Sequence, residues 1–204
     1  MQKINLELVE LIAKTIEIPE PIYEFGSFQV PGQEEFADLR KYFPGKTYVG
    51  CDMREGLGVD KIMNFHSLEL ESSSVGTVIC IDTLEHVEQF WRSMDEFYRV
   101  LRGGGWMILT SVMKFEIHDH PYDYWRFTPE AFRSLTKKFE TRFIYSVGNP
   151  KFPKVVVAVC FKGKLPTSIE ERLRDYLERW KMNWDKEMLS WKHIIGEMLF
   201  LVKK

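Results

Sequence analysis

An open α/β sheet with helices on both faces is the fold class this sequence predicts, and three observations carry it. Short apolar runs alternate with amphipathic stretches of helical spacing along most of the 204 residues. The run VGTVICID, from Val75, is almost continuously apolar, as a strand covered on both faces must be. Polar residues stand where successive runs end: Glu24 with Gly26, Asp52, Asn64, Asp82 and Ser111. In sheets of this class ligands bind outside the carboxyl ends of the strands, where strand order reverses.

Residues 5 to 17 are apolar at helical spacing through Leu8, Leu11, Ile12 and Thr15, and stop before Pro19 and Pro21, which break helices. PIYEF predicts a short strand. QEEFADLRKYF predicts a helix with Phe36, Leu39 and Phe43 on one face, ending at Pro44-Gly45. TYVGCD is the second strand, KIMNF a weaker third and VGTVICID a strong fourth. From Glu88 to Leu101 a stripe of Phe90, Met94, Phe97 and Leu101 predicts a helix that Arg102-Gly-Gly-Gly stops. WMILTSV is the fifth strand. Thr128 is placed to cap a helix that Pro129 begins. ETRFIYSVG and KVVVAVCFK then predict two adjacent strands.

From Ile169 onward Leu173, Leu177, Trp180, Trp184, Met188, Trp191, Ile195, Met198 and Val202 recur at about 3.6 residues, the period of one straight helix. Its tryptophans need a cover. Packing on the chain's own domain or across a homodimer is expected ahead of a membrane surface, because Asp185 and Glu187 dilute Lys181, Lys186 and Lys192. The organisation expected is an N-terminal helix over 1–20, a main domain over 21–163 and a helical extension over 164–204.

Composition removes several classes. There are 28 basic and 30 acidic residues and no long basic run, so no nucleic-acid surface is expected. Cys51, Cys80 and Cys160 each sit in an apolar segment, which suits buried thiols in a reducing, cytoplasmic setting. The longest aliphatic stretch, VVVAVCF, is too short to span a bilayer, and MQKINLELVELIAK lacks a signal-peptide pattern.

PIYEFGSFQVPG, residues 21 to 32, decides what the strand ends hold. Gly26 lets a backbone approach a ligand closely, because it has no Cβ. Asp52, 28 residues after Glu24, can accept both hydroxyls of a ribose. A pyrophosphate would need further glycines and a positive helix start. Phe28 and Val30 stand where the glycines would be, and Glu34 and Glu35 would repel phosphate. Two acids suit a cationic ligand better.

The motifs YEFGS, YVGCDMREGLGVD, MNFHSLEL, VICIDTLEHV and EFYRVLRGGGWMIL together resemble a class I S-adenosylmethionine-dependent methyltransferase of the methyltransferase type 11 group. HDHPYDYWRFTPEAF is similar to a stretch after the fifth strand in one branch of it, and the resemblance covers about Ile22 to Phe161. It implies a Rossmann-like, seven-stranded, mostly parallel sheet with the last strand antiparallel, here followed by the long C-terminal amphipathic helix. It implies S-adenosylmethionine as cofactor. Glu24, Gly26 and Ser27 would meet its methionine end, and Asp52 its ribose. Met53, Asn64 and Phe65 would lie at the adenine, and Asp82 and Thr83 beside the methionine portion. The missing glycines and Asn64, where an aspartate is usual, depart from the family pattern.

The acceptor implied is a small molecule, a glycan or a lipid intermediate. Methyl transfer from a sulfonium is an in-line displacement, and a base is needed only where the acceptor must lose a proton. The candidates are His86, past the fourth strand, and His118, Asp119, His120, Tyr124 and Arg126, past the fifth. His118, His120 and Tyr124 lead as catalytic groups. That stretch reads as an acceptor pocket or as an ordered structural turn. Arg126 would grip an anionic acceptor or pair with Asp123. No metal is expected. A zinc-hydrolase cluster of His118, His120 and Asp123 lacks the second adjacent histidine of H-x-H-x-D-H and would need His86 from another strand end. It ranks behind both the transferase and its first alternative, a non-catalytic S-adenosylmethionine-binding protein.

Overall fold

The computed structural model describes residues 2–32, 37–118 and 122–190. Helix α1 spans Lys3–Thr15, and strand β1, Ile22–Phe25, follows the proline segment. After a 3-10 turn at Arg40–Tyr42 come β2 (Tyr48–Asp52), β3 (Lys61–Ile62) and β4 (Val75–Ile81). A second 3-10 turn, Leu84–His86, leads to α2 (Phe90–Val100) and β5 (Leu101–Val112). Helix α3 (Pro129–Leu135), the hairpin of β6 (Thr141–Asn149) and β7 (Phe152–Phe161), and α4 (Thr167–Met188) complete the described chain.

The strands form one seven-stranded sheet in the order β3-β2-β1-β4-β5-β7-β6. The first five pair in parallel, and β7 runs antiparallel to both β5 and β6. Strand order reverses between β1 and β4. The switch point therefore lies where Phe25 and Ile81 end.

Two cores cover the two faces, and β7 shows how one strand feeds both. Val155, Val157 and Val159 face α1 and α4, while Val156, Ala158 and Cys160 face the opposite core with Phe97 and Phe132. The three cysteines are buried and free, and burial pushes the Cys51 thiol up to about 12. Thr128 caps α3 as expected, its hydroxyl oxygen accepting from the Ala131 N–H at 3.1 Å.

The predicted helix of QEEFADLRKYF has residues 33–36 outside the described residues; Ala37 is helical, and the 3-10 turn at Arg40–Tyr42 follows, with Leu39 and Phe43 buried. The fifth strand begins earlier than the sequence predicts, directly where α2 ends at Val100. Leu101 to Gly105 already belong to β5, because Gly104 N–H and Gly105 C=O pair with Lys162.

Helix α4 is covered by its own chain along the described part of its stripe. Leu173, Leu177, Trp180 and Trp184 are buried in the core shared with α1. The Trp184 indole donates to Glu7 Oε2 at 2.9 Å, and Gly148 N–H donates to Asp185 Oδ1 at 2.9 Å. Trp191, Ile195, Met198 and Val202 lie outside the described residues. Among those described, no helix is long and apolar enough to cross a membrane.

Candidate functional site

A cavity of about 940 Å³ opens across the carboxyl ends of β1, β2, β4 and β5. That is at the upper end of the roughly 300–1,000 Å³ of small-molecule sites. Gly26 stands at the switch point with φ +94°, a conformation L side chains rarely adopt. A Cβ built there would fall 2.0 Å from Thr83 Oγ1, so the loops after β1 and β4 touch only because residue 26 has no side chain. The N–H groups of Gly26 and Ser27 both donate to Cys51 C=O, tying the β1 loop to β2.

Asp52 ends β2 on the cavity wall. Its Oδ1 accepts from the Arg54 N–H at 3.0 Å and its Oδ2 from the Phe28 N–H at 3.3 Å. A carboxylate has about four lone-pair sites, so acceptor capacity remains. The Arg54 guanidinium lies 4.6 Å over the Phe28 ring, which fixes the side of the loop that would otherwise carry glycines. Met53 and Phe65 are on the same wall, as are Ser27, Asp82 and Thr83.

Glu24 and Asn64 are not on it. By strand alternation Glu24 shares the Ile22 side of β1, where its Oε2 accepts from the Tyr48 hydroxyl at 2.7 Å. Burial pushes its carboxyl up to about 8. Asn64 is exposed, and its side-chain oxygen accepts from the His66 N–H at 3.0 Å in an Asx turn that holds it off the cavity wall.

The far wall is built by the segments after β4 and β5. Asp82, with φ +47°, accepts from Asn5 Nδ2 at 2.6 Å and from the Thr110 hydroxyl at 3.0 Å. Desolvation holds its carboxyl above the usual range. Glu85 is fully buried and accepts from the Ser111 hydroxyl at 2.7 Å, and burial with neighbouring Asp82 pushes it up to about 8. The His86 and His118 rings meet edge to face at 4.7 Å, and Tyr124 stands on the wall beside them.

Arg126 is not free to bind an anionic acceptor. Its Nη1 and Nη2 fork onto Asp123 at 2.6 and 2.8 Å, and it donates further to the carbonyls of Phe115, Glu116 and Trp125. The same fork removes Asp123 from the zinc-cluster reading. Both its oxygens are engaged, and its carboxyl is held well below the usual range, by the Arg126 hydrogen bonds first. Asp119 and His120 lie outside the described residues. Sequence reasoning missed Asn5, whose link to Asp82 has no local signal.

Residues 34–109 match a family model described as a methyltransferase domain. No curated protein matches the sequence. Among solved structures, an S-adenosylmethionine-dependent methyltransferase from Thermotoga maritima is 20% identical, with 76% of this chain and 89% of that chain covered and a TM-score of 0.55. An S-adenosylmethionine-dependent methyltransferase from Archaeoglobus fulgidus is 13% identical over 76% of this chain and 93% of that one, with a TM-score of 0.56. The Burkholderia thailandensis 1,6-didemethyltoxoflavin-N1-methyltransferase, solved with its substrate and S-adenosylhomocysteine, is 14% identical over 78% of each chain, with a TM-score of 0.59.

Proposed function

We propose that this chain, which has the fold of the class I S-adenosylmethionine-dependent methyltransferases, transfers a methyl group from that cofactor to a small-molecule, glycan or lipid-intermediate acceptor. The observation that carries the reading is Asp52 on the cavity wall beside Gly26, with Phe28 and Val30 where a pyrophosphate would need glycines. The set fits an adenosyl group and excludes a phosphate cradle.

Asp52 would accept from the ribose hydroxyls, and Met53 and Phe65 would flank the adenine. Asp82 and Thr83 would border the methionine end, where a carboxylate favours a cation. Bound there, the cofactor supplies an electrophilic methyl on a sulfonium. The chain's own work is to hold the acceptor in line from the His86, His118 and Tyr124 side and to exclude water. His118 Nδ1 lies 3.1 Å from Asp123 Oδ2, which orients its ring.

Calorimetry with S-adenosylmethionine, S-adenosylhomocysteine and NAD tests the reading. Wild type should bind the first two and not NAD, and Asp52→Ala should weaken binding at least tenfold while remaining folded. Binding of NAD alone, or full affinity in Asp52→Ala, would overturn it.

A further inference from the structure

We infer that Glu85, His86 and His118 form a divalent-metal site on the acceptor wall of the cavity. One donor atom from each lies within 4.8 Å of the other two. Donors bonded to a single ion at about 2.0–2.2 Å stand about 3–4 Å apart, so small side-chain rotations close the set. His118 recurs from the zinc-hydrolase cluster, as does His86, which that cluster would have needed from another strand end; Glu85 replaces Asp123 as the carboxylate.

Two further observations point to a ligand. Glu85 Oε1 is fully buried and has no hydrogen-bond partner among the described residues, while Oε2 takes the Ser111 hydroxyl. A buried carboxylate oxygen left unpaired is costly, and a cation would satisfy it. The second observation is the orientation of the rings. His86 Nδ1 lies 2.7 Å from the Tyr122 carbonyl oxygen, and His118 Nδ1 lies 3.1 Å from both Asp123 Oδ2 and the Glu116 carbonyl oxygen. All three partners only accept, so each Nδ1 carries a proton and Nε2 is the nitrogen whose lone pair the neutral ring offers to a metal. Fixing metal-ligating histidines through the other nitrogen is the usual outer arrangement of such sites. It also gives the Arg126–Asp123 fork a purpose, since the fork holds the carboxylate that holds His118.

Two imidazoles and one carboxylate suit a first-row divalent ion such as Zn²⁺ or Mn²⁺, with coordination positions left open to the cavity. Resting on the methyltransferase reading, the site names the acceptor class as a hydroxyl compound that chelates through oxygen. The ion would acidify that hydroxyl. The O–H bond breaks with its proton released to solvent, the O–CH3 bond forms, and the S–CH3 bond breaks to leave a neutral thioether.

The test is calorimetric titration of the chelator-treated full chain with Zn²⁺ or Mn²⁺ alone. Wild type should take up one ion per chain. Glu85→Gln and His118→Ala should each lose at least tenfold in affinity, with circular dichroism confirming that they fold. His86→Gln gives a second route if either fails to fold. Asp52→Ala should still bind one ion although it loses the cofactor. A folded wild type that binds neither ion saturably, or folded ligand variants that bind as wild type does, would overturn the site. Cofactor binding without metal would leave the methyltransferase reading standing alone, and metal binding without cofactor would leave the metal site standing alone.

Discussion

Asn5, on the first helix, donates from Nδ2 to Asp82 Oδ2 at 2.6 Å, joining two residues 77 positions apart. The N-terminal helix thus supplies part of the site as well as part of the core. Asn5 has no exposed surface at all, whereas Asp82 is partly exposed on the cavity wall. Asn5→Ala should cost about 1 kcal/mol, the net worth of one hydrogen bond whose acceptor water can still reach. Asn5→Asp should cost more, because it sets a second carboxylate against Asp82. Chemical denaturation of the two variants checks the ranking, and an Asn5→Ala protein as stable as wild type would show the contact to be idle.

At Gly26 the prediction is steric. Alanine there would have to accept φ +94° with its Cβ 2.0 Å from Thr83 Oγ1. Gly26→Ala should therefore destabilise by several kcal/mol and abolish cofactor binding. Thr83→Ala in the same chain removes the Oγ1 and Cγ2 contacts but leaves Cβ 2.8 Å away, so rescue should be partial. Full rescue, read as melting temperature, would mean that the backbone conformation carries no strain.

What the sequence made legible divides by range. Strand alternation and the strand-end acids brought Gly26, Ser27, Asp52, Asp82 and Thr83 to one cavity, because β1, β2 and β4 pair in parallel and end together. Glu24 failed by one step of the same logic, since its side chain emerges on the Tyr48 face of β1. Asn64 lies off the cavity wall, turned toward the His66 N–H. Asn5 and the Glu85–His86–His118 grouping depend on contacts between distant segments, which periodicity does not encode.

Arg126 supports a prediction about the loop after β5. Asp123 has a side chain only 1% exposed and is forked by Arg126, so removing the cation strands a buried charge. Arg126→Ala should cost about 3–5 kcal/mol. Arg126→Lys keeps a charge but loses the planar fork, and should fall between the two. In both variants hydrogen exchange around His118 should quicken, since His118 N–H donates to Asp123 Oδ2 at 2.8 Å. A stable Arg126→Ala protein with normal exchange there would return Arg126 to the candidates for acceptor binding.

Glu24 supports a prediction about pH. Burial raises its carboxyl from 4.5 to about 8 in the folded protein, against the opposing effects of the Tyr48 hydroxyl and Arg40. Between those two values the folded chain holds a proton that the unfolded chain has released. Stability must then fall as pH rises through that window. Below pH 4.5 both states are protonated and nothing is lost; above pH 8 both are ionised and the loss is complete. Each pH unit of the window is worth about 1.4 kcal/mol at most, so a change of roughly 2–4 kcal/mol is expected. Glu24→Gln has no proton to lose, yet its amide oxygen can still accept from the Tyr48 hydroxyl. Urea denaturation of both proteins at pH 5, 6, 7 and 8 should show wild type losing stability relative to the variant, most steeply between pH 5 and 7. A difference that stays constant across the series would mean that Glu24 is already ionised in the fold, and that a cation reaches it.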